Sequence, residues 1–426
     1  MPPLKPAESL ADAFNAFDPR TPLSGPAFKA FYVPRPVGTE KLLGDLQAGR
    51  SQVSKWLFTG HRGSGKSTEL IRLANELDAQ NFTVYYTVEE VLDMADLDYK
   101  DVLLSLGSAL YEAAKKRKVN LKKRLLQDLV GWYSTTLKEV EGAVSAGAEL
   151  EEKADFWFLK LLARQRSEVA TRKTIRTELE SRLSDLIEKI NRIAEAIAEK
   201  TGRPVLAIVD GLDKVMDLGI ARRMYYEGGA SLRAPACKAI YTVPLALFHT
   251  TEFGQVRVTF DDYFSLPNVK VNGHDGQPDE DGRAMLRELV HRRLAPGLIA
   301  PDAVERLAEL SGGVLRELVA LAKDACSFAR VRKGDRVEAE DVERAAGRLR
   351  NVFAGMLTDD HYRELWRIHA DPLHRYTNSP TVQELVHNLS LLEYADGDAW
   401  WDVHPVVRPL LEERRDTLGN LNLARA

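Results

Sequence analysis

An eight-residue segment of this chain combines glycines, a lysine and a serine at the spacing that phosphate binding requires. The segment Gly60-His61-Arg62-Gly63-Ser64-Gly65-Lys66-Ser67 fits the pattern G-x-x-x-x-G-K-[ST]. In this pattern the glycines let backbone N–H groups turn inward around a β-phosphate, the lysine neutralises the β and γ oxygens, and the serine hydroxyl faces Mg²⁺. The segment therefore predicts binding of ATP or GTP with Mg²⁺, and we assign Gly60 through Thr68 to the nucleotide.

The flanking residues predict the elements that must hold this loop. A strand-like run at 55–59 precedes the loop, a helix-like run at 66–79 follows it, and the β-rich run 82–88 comes next. The order strand, helix, strand is a βαβ unit, which requires a parallel sheet. We expect an α/β fold of the P-loop NTPase type, with a parallel sheet, a long helical insertion, an all-α lid domain and a winged-helix-like C-terminal domain.

A second metal anchor is expected at the carboxyl end of the strand beside the loop. The run 204–209 is apolar on both faces, as in a central parallel strand, and it ends in Asp210. We assign Asp210 to Mg²⁺, through water, rather than to helix capping. Three residues later, Asp213 is assigned to orient or polarise the attacking water, with an N-cap for the following helix as the alternative.

Two more polar residues lie at the ends of predicted elements, where their side chains could face phosphate. Thr242 lies near the end of a predicted strand at 238–243, where its hydroxyl could face the γ-phosphate. A satisfied strand-end threonine is the alternative. Arg316 lies in the first turn of a helix that Ser311, Gly312 and Gly313 open, so it could extend from a helical domain toward phosphate. An ordinary exposed arginine is the alternative there.

Composition divides the chain into four predicted segments. Residues 1–30 are rich in Pro, Ala and Phe and predict an N-terminal arm. Residues 31–281 form the predicted nucleotide domain, with a helical insertion at about 99–200 and a fifth strand at 268–271. Residues 282–357 predict the lid helices. Residues 358–426 predict two helices, a hairpin at an Asp-Gly turn and a last helix, which is a winged-helix-like order.

The insertion carries two patterns that bear on partners. Six apolar residues step by four and three along a helix: Leu179, Leu183, Leu186, Ile190, Ile193 and Ile197. This seam covers only about two and a half heptads, so we favour an intramolecular helical hairpin over a dimerising coiled coil. The basic cluster at 115–124 indicates a solvated helix end, with contact to nucleic acid or an acidic partner as the alternative.

The order of these motifs resembles that of the AAA+ and STAND ATPases. The resemblance covers residues 31–357 and is greatest to the branch shared by origin-recognition initiators and bacterial STAND-like conflict-system ATPases, which a winged-helix tail also suits. It implies ATP rather than GTP as the nucleotide. The residues it assigns are Lys66 and Ser67 in Walker A, Asp210 in Walker B, Thr242 as sensor 1, Arg316 as sensor 2, and Val33, Pro34 and Arg35 at the adenine.

Two departures from that pattern bear on activity. An acid directly follows the Walker B aspartate in AAA+ motors, but here the next residue is Gly211 and the second acid is Asp213, as in NACHT-type STAND switches. We therefore expect slow hydrolysis. The resemblance also implies a nucleotide-dependent homo-oligomer, and Arg257 is the best candidate for a finger in trans.

The charge of the C-terminal segment distinguishes between two hypotheses about function. The first is an ATP-driven switch that controls a partner protein, in an antiphage or conflict system if the resemblance extends that far. The second is an initiator-like or transposition-regulator-like ATPase that binds DNA. Residues 358–426 hold twelve acids, seven arginines and no lysine. This balance favours a protein partner, bound through the insertion and the acidic tail, over nucleic acid.

Sequence composition also predicts the compartment. Cys237 and Cys326 lie far apart without a metal-ligand spacing, which is typical of buried cysteines in a reducing compartment. The N-terminal residues lack an apolar signal region, and no apolar run of about eighteen residues occurs. We expect a cytoplasmic protein without a membrane segment.

Overall fold

The fold is of the α/β class, and apolar runs form the central strands of its five-stranded sheet. The strands are β1 (Lys55–Gly60), β2 (Phe82–Thr87), β3 (Val205–Asp210), β4 (Lys238–Thr242) and β5 (Asp262–Leu266). Their order is β2-β3-β4-β1-β5. The pairs β2–β3, β3–β4 and β4–β1 are parallel. Every residue of β1, β3 and β4 is buried, as expected for central parallel strands.

The computed structural model describes residues 4–49, 51–122, 124, 125, 128, 169–396 and 398–415. The chain forms two compact units. The first contains Met1–Thr39, Gly60–Glu69 and Ser265–Ala426, and the second contains Glu40–Thr59 and Leu70–Phe264. The phosphate loop therefore belongs to the first unit, whereas the strand ends at Asp210 and Thr242 belong to the second.

The helices in the described residues follow in chain order. Those of the N-terminal arm are α1 (Leu10–Ala16) and α2 (Gly25–Phe31). Between the arm and β5 lie α3 (Glu40–Ala48), α4 (Lys66–Leu77), α5 (Tyr99–Lys116), α6 (Val169–Ser181), α7 (Leu183–Thr201), α8 (Leu218–Arg222), α9 (Gly229–Arg233), α10 (Leu245–Phe248) and α11 (Phe253–Thr259). After β5 come α12 (Glu280–His291), α13 (Pro301–Leu310), α14 (Leu315–Val331), α15 (Ala339–Met356), α16 (Asp359–Ala370), α17 (Pro380–His387) and α18 (Arg408–Glu412), with the hairpin β6 (Leu391–Asp396) and β7 (Asp398–Val403) before α18.

The prediction of a fifth strand at 268–271 is wrong, because the fifth strand is β5. The backbone of 268–271 instead bonds to other groups: the N–H of Val269 donates to the carbonyl of Gly313 at 3.4 Å, and the carbonyl of Val271 accepts from Asp279 N–H at 3.1 Å. Strand β5 is only partly buried, which suits an edge position and explains why it lacks a strongly apolar pattern.

The predicted seam is buried inside the second unit. Leu186, Ile190, Ile193 and Ile197 of α7 are fully buried, and α7 packs against α5. Leu179 is also buried, but it lies on α6, because the helix is interrupted at Arg182. The seam therefore contributes to a core within the chain. The part of the insertion at 129–168 lies outside the described residues.

The basic cluster lies at the end of α5. Arg117 has a structural role, because its Nη1 donates to Asp78 Oδ1 at 2.7 Å and its guanidinium lies over the ring of Phe82. Three exposed lysines flank it and form no ion pair within the described residues: Lys116, Lys118 and Lys122.

The remaining helices pack in the first unit. The predicted arm packs on the body, since α1 lies against α14 and the ammonium of Lys323 lies over the ring of Phe14. The C-terminal elements follow the predicted order of two helices, a hairpin and a short helix. The four domain boundaries and the winged-helix assignment stay predictions. Across the described residues, we find no helix whose length and apolar character would suit a membrane crossing.

Candidate nucleotide-binding site

Three glycines give the phosphate loop its shape. Gly60, Gly63 and Gly65 have φ values of 145°, 88° and 99°, a region that residues with a Cβ rarely adopt. A Cβ on Gly60 would lie 2.5 Å from the carbonyl oxygen of Leu266, and one on Gly63 would lie 2.7 Å from the Cβ of Arg316. The loop is thus a close-fitting backbone turn that requires glycine.

Lys66 is held at the start of α4. Its ammonium is buried and donates to the carbonyl oxygens of Gly60 and His61, at 2.8 Å each. These bonds fold the side chain back along the loop, where it would meet the oxygens of a bound phosphate. Ser67 follows and is half-buried. The hydroxyl of Thr68, in contrast, accepts the N–H of Leu23 at 3.3 Å, so it fastens the arm to α4.

The segment predicted at the adenine braces the loop. Val33 is buried and Pro34 is exposed. The guanidinium of Arg35 is buried and donates to the carbonyl oxygens of Ser64 and Pro267. Arg35 therefore ties the loop to the residue that follows β5, a role that sequence reasoning missed because Pro267 is 232 residues away.

A second brace comes from Glu69, whose carboxylate is buried. Its oxygens accept the hydroxyl of Tyr32 at 3.0 Å and that of Thr39 at 3.3 Å. Sequence reasoning also missed these three residues. They fix the first turn of α4, which carries Lys66 and Ser67.

Arg316 lies beside the phosphate loop. The turn before α14 uses Gly312 and Gly313 at φ values of 58° and 74°, and a Cβ on Gly313 would overlap the carbonyl of Val269. This turn points the N-terminus of α14 at the loop, and the N–H of Arg316 donates to the carbonyl of Gly63 at 3.0 Å. The structure thus places the start of α14 against the loop within the first unit, and the role of the Arg316 side chain at phosphate stays a prediction.

The side chain of His61 contacts the C-terminal hairpin. Its Nε2 accepts the backbone N–H of Glu393 at 2.7 Å, and its ring lies edge-on to the ring of Trp401. The hairpin also contacts the turn before α14, since the hydroxyl of Tyr394 donates to the carbonyl of Gly312 at 2.8 Å. No sequence pattern indicates these contacts, because Glu393 lies 332 residues after His61.

In the second unit, Asp210 ends β3 with both carboxylate oxygens engaged. Oδ2 accepts the hydroxyl of Tyr85 at 2.8 Å, and Oδ1 accepts the N–H of Gly211 at 2.7 Å. Burial and the nearby charge of Asp210 raise the pKa of Tyr85, so this hydroxyl keeps its proton. Strand β4 lies between β3 and β1, so the expectation that Asp210 ends the strand directly beside the loop is wrong.

Asp213 lies in a single helical turn, Leu212–Lys214, that begins after Gly211. Gly211 has a φ of 92°, which allows the chain to turn sharply after Asp210. The alternative of an N-cap for the next helix is wrong, because Asp217 caps α8 by accepting the N–H of Gly219 at 2.7 Å. Burial raises the pKa of Tyr225, and the charge of Asp213 adds to this shift.

Thr242 is fully buried beside this turn. Its hydroxyl accepts the N–H of Leu212 at 2.9 Å and donates to the carbonyl of Val209 at 3.3 Å. Its own carbonyl accepts the hydroxyl of Tyr225. These contacts match the strand-end threonine that the sequence left as an alternative, and they fix the turn that carries Asp213.

The residues expected to hold Mg²⁺ are oxygen donors, which is the type of ligand that this ion prefers. In the part of the chain that the structure describes, no group of three His, Cys, Asp or Glu side chains could hold a metal ion. Mg²⁺ in phosphate-binding proteins keeps several waters and uses one or two protein oxygens with the substrate phosphates. The hydroxyl of Ser67 in the first unit and the carboxylate of Asp210 in the second unit are each an oxygen donor of the type that Mg²⁺ accepts.

Comparisons with known proteins give a structural likeness only. No family model and no curated protein matches this chain. It is similar to the ORC2 protein of Aeropyrum pernix in its ADPNP-ADP complexes, with a TM-score of 0.44, 12% identity, and coverage of 96% of this chain and 98% of that one. It is similar to the Aeropyrum pernix ORC1 protein in complex with DNA, with a TM-score of 0.42, 14% identity, and coverage of 90% of this chain and 94% of that one. It is also similar to Cdc6p from Pyrobaculum aerophilum, with a TM-score of 0.40, 12% identity, and coverage of 91% of this chain and 98% of that one.

Proposed function

We propose that this protein is an AAA+/STAND-type ATPase, which binds ATP with Mg²⁺ at the phosphate loop, hydrolyses it slowly and thereby controls a partner protein. The observation that carries the proposal is the loop itself. Its glycines adopt backbone angles that exclude other residues, and its lysine is held along the same turn. A turn of this shape at the start of a helix is suited to bind phosphate through backbone N–H groups.

Each residue has a proposed role in binding. Lys66 neutralises the β and γ oxygens, and the backbone from Gly60 to Thr68 surrounds the phosphates. Ser67 and Asp210 hold Mg²⁺, Asp210 through water. The ion supplies charge neutralisation at the transferred phosphoryl group. Val33, Pro34 and Arg35 form the adenine side, where Arg35 acts by fixing the loop.

Hydrolysis is proposed to use Asp213 to orient the attacking water, with Thr242 and Arg316 at the γ-phosphate. The turn around Asp213 is fixed by the bond between Leu212 N–H and the Thr242 hydroxyl. Thr242 therefore contributes mainly by positioning Asp213. The residue after Asp210 is Gly211, so no acid directly follows the anchor in the sequence. This arrangement supports slow turnover.

The contacts of the loop support a switch. Within the first unit, Gly63 accepts the N–H of Arg316 on α14, and His61 accepts the N–H of Glu393 on β6. A change in the loop on nucleotide binding therefore acts directly on the lid helix and on the C-terminal hairpin. We propose that the insertion and the acidic tail present this change to a protein partner, in a nucleotide-dependent homo-oligomer in the cytoplasm. An antiphage or conflict system is the setting we propose for it.

A second candidate is a DNA-binding ATPase of the initiator type. The observation that favours it is the group of exposed lysines Lys116, Lys118 and Lys122 at the end of α5. Phosphate contacts from such side chains dominate affinity for nucleic acid. Helix α17, which covers most of the expected recognition segment, does not add to this charge, because it contains neither lysine nor arginine.

The proposal is tested with Lys66→Ala and Asp213→Asn in the full chain. Binding of a fluorescent ATP analogue and release of phosphate are measured on the same samples. Lys66→Ala should abolish binding, whereas Asp213→Asn should bind normally and lose most hydrolysis. Normal binding by Lys66→Ala would overturn the nucleotide site, and normal hydrolysis by Asp213→Asn would remove Asp213 from the mechanism. Light scattering with ATP, with ADP and without nucleotide tests the oligomer.

A further inference from the structure

We infer that Tyr85 is the positioning residue for the magnesium anchor: its hydroxyl fixes the Asp210 carboxylate in the orientation that the ion requires. The inference rests on the proposed function and adds to it a residue outside every motif of the sequence. It follows from the bond between the Tyr85 hydroxyl and Asp210 Oδ2, at 2.8 Å.

The strand register creates this contact. Strand β2 pairs in parallel with β3, with Thr87 opposite Asp210 and Tyr85 opposite Ile208. Tyr85 and Thr87 share one face of β2, because side chains two residues apart on a strand point the same way. The hydroxyl of Thr87 lies near the turn after Asp210, 3.1 Å from the position that a Cβ on Gly211 would occupy.

The two bonds to Asp210 leave it little freedom. Oδ1 is held by the N–H of Gly211 and Oδ2 by Tyr85, and the residue is only 2% exposed. A carboxylate oxygen can accept more than one hydrogen bond, so these contacts are compatible with a metal-bound water. Groups that orient a metal anchor in this way typically contribute 10- to 100-fold to metal affinity or activity.

The neighbouring tyrosine provides a matched control. Tyr86 is the next residue of β2, so its side chain lies on the opposite face, where its hydroxyl is 3.1 Å from Ser105 Oγ. Burial raises the pKa of Tyr86, as it does for Tyr85. Changing either residue to phenylalanine deletes one hydrogen-bonded hydroxyl from the same strand, but only Tyr85→Phe affects Asp210.

The experiment compares Tyr85→Phe, Tyr86→Phe and the unchanged full chain. The first readout is the affinity for a fluorescent ATP analogue across a Mg²⁺ titration, and the second is the Mg²⁺ concentration that gives half-maximal hydrolysis. Tyr85→Phe should raise both Mg²⁺ requirements at least about tenfold, with hydrolysis at saturating Mg²⁺ much less affected. Tyr86→Phe should leave both unchanged. Equal Mg²⁺ requirements in the two variants would overturn the inference.

Two further experiments distinguish failure of this inference from failure of the proposed magnesium site. Asp210→Asn tests the anchor itself: if it keeps the normal Mg²⁺ requirement, the proposed magnesium site fails. If Asp210→Asn raises the requirement and Tyr85→Phe does not, only the role of Tyr85 fails. Thermal unfolding of each variant is recorded as well. A lower unfolding temperature for Tyr85→Phe with an unchanged Mg²⁺ requirement assigns Tyr85 a purely structural role and also overturns the inference.

Discussion

The Nε2 atom of His61, in the phosphate loop, lies 2.7 Å from the backbone nitrogen of Glu393 in the C-terminal hairpin. This bond joins the proposed nucleotide site to the segment that we propose to contact a partner. His61→Ala should leave the Glu393 N–H without its acceptor, which costs about 1–3 kcal/mol for a buried group.

Hydrogen exchange of the hairpin measures this effect. We expect faster exchange across 391–403 in His61→Ala than in the unchanged protein, because the hairpin loses a contact to the loop. The control is Arg62→Ala, since Arg62 is the adjacent exposed residue. Unchanged exchange in His61→Ala would show that the bond does not hold the hairpin.

Two glycine substitutions should change stability in opposite directions. Gly63→Ala places a Cβ 2.7 Å from the Cβ of Arg316 at a φ of 88°, so it should lower the free energy of unfolding and weaken ATP binding. Gly347→Ala lies within α15, with no atom within 4 Å of the new Cβ, and should raise that free energy by roughly 0.5–1 kcal/mol. Urea unfolding compares them. A Gly63→Ala protein as stable as the parent would contradict the strain at this position.

The apolar seam on α7 should contribute to the stability of the folded chain rather than to association between chains. Ile190 is fully buried in the core of the second unit, so Ile190→Ala should cost about 2–5 kcal/mol. Light scattering should give the same oligomeric state for this variant as for the parent. Glu195→Ala, an exposed position on the same helix, serves as control. Dissociation of an oligomer by Ile190→Ala without loss of stability would indicate a seam between chains.

Buried His404 should make stability dependent on pH. Burial lowers the pKa of His404 to about 3, whereas an unfolded histidine titrates near 6.5. Below that value the unfolded chain binds a proton that the folded chain does not, so stability falls as pH drops from about 6.5 to 3, by up to about 1.4 kcal/mol per pH unit.

Urea unfolding at several pH values tests this with His404→Asn, which should show a shallower loss of stability below about pH 6.5. The exposed His291→Asn is the control and should keep the parental slope. If His404→Asn also keeps that slope, the buried imidazole does not cause the acid sensitivity.

DNA binding, if the protein has it, should depend on α5 rather than on the C-terminal segment. The variant Lys116→Ala/Lys118→Ala/Lys122→Ala removes three exposed charges, so it should weaken binding to duplex DNA and reduce its salt dependence. Arg363→Ala/Arg367→Ala is the comparison on α16, where it removes two arginines that pair with Asp360 and Glu364. Fluorescence anisotropy at two salt concentrations measures both. Binding lost only in the α16 variant would place the DNA contact in the C-terminal segment.

Much of the fold was predictable where the chemistry is local. The loop pattern and the runs that are apolar on both faces identified β1 to β4, and the Gly-Gly turn predicted that Arg316 opens a helix. Strand β5 was missed because an edge strand is only half-buried and has no strong pattern. The separation of β1 from β3 by β4 was missed because strand order depends on long-range packing.

Side-chain roles in the candidate site were harder to predict. Arg35, His61 and Thr68 were assigned to the nucleotide by position, yet their side chains bond to other parts of the chain. Pro267, one partner of Arg35, and Glu393, the partner of His61, lie 232 and 332 residues away, so no local spacing encodes these bonds. Tyr85 was missed for a related reason, since its role appears only when β2 pairs with β3.

The phosphate loop is short, but the residues that hold it come from distant parts of the chain. Arg35 joins the loop backbone to Pro267. The loop backbone also bonds to the backbone of Arg316, and the side chain of His61 bonds to the backbone of Glu393. A ribosome makes the loop early and these partners much later. The loop should therefore reach its final shape only once the C-terminal hairpin has emerged, so that a nascent or truncated chain cannot present a finished nucleotide site.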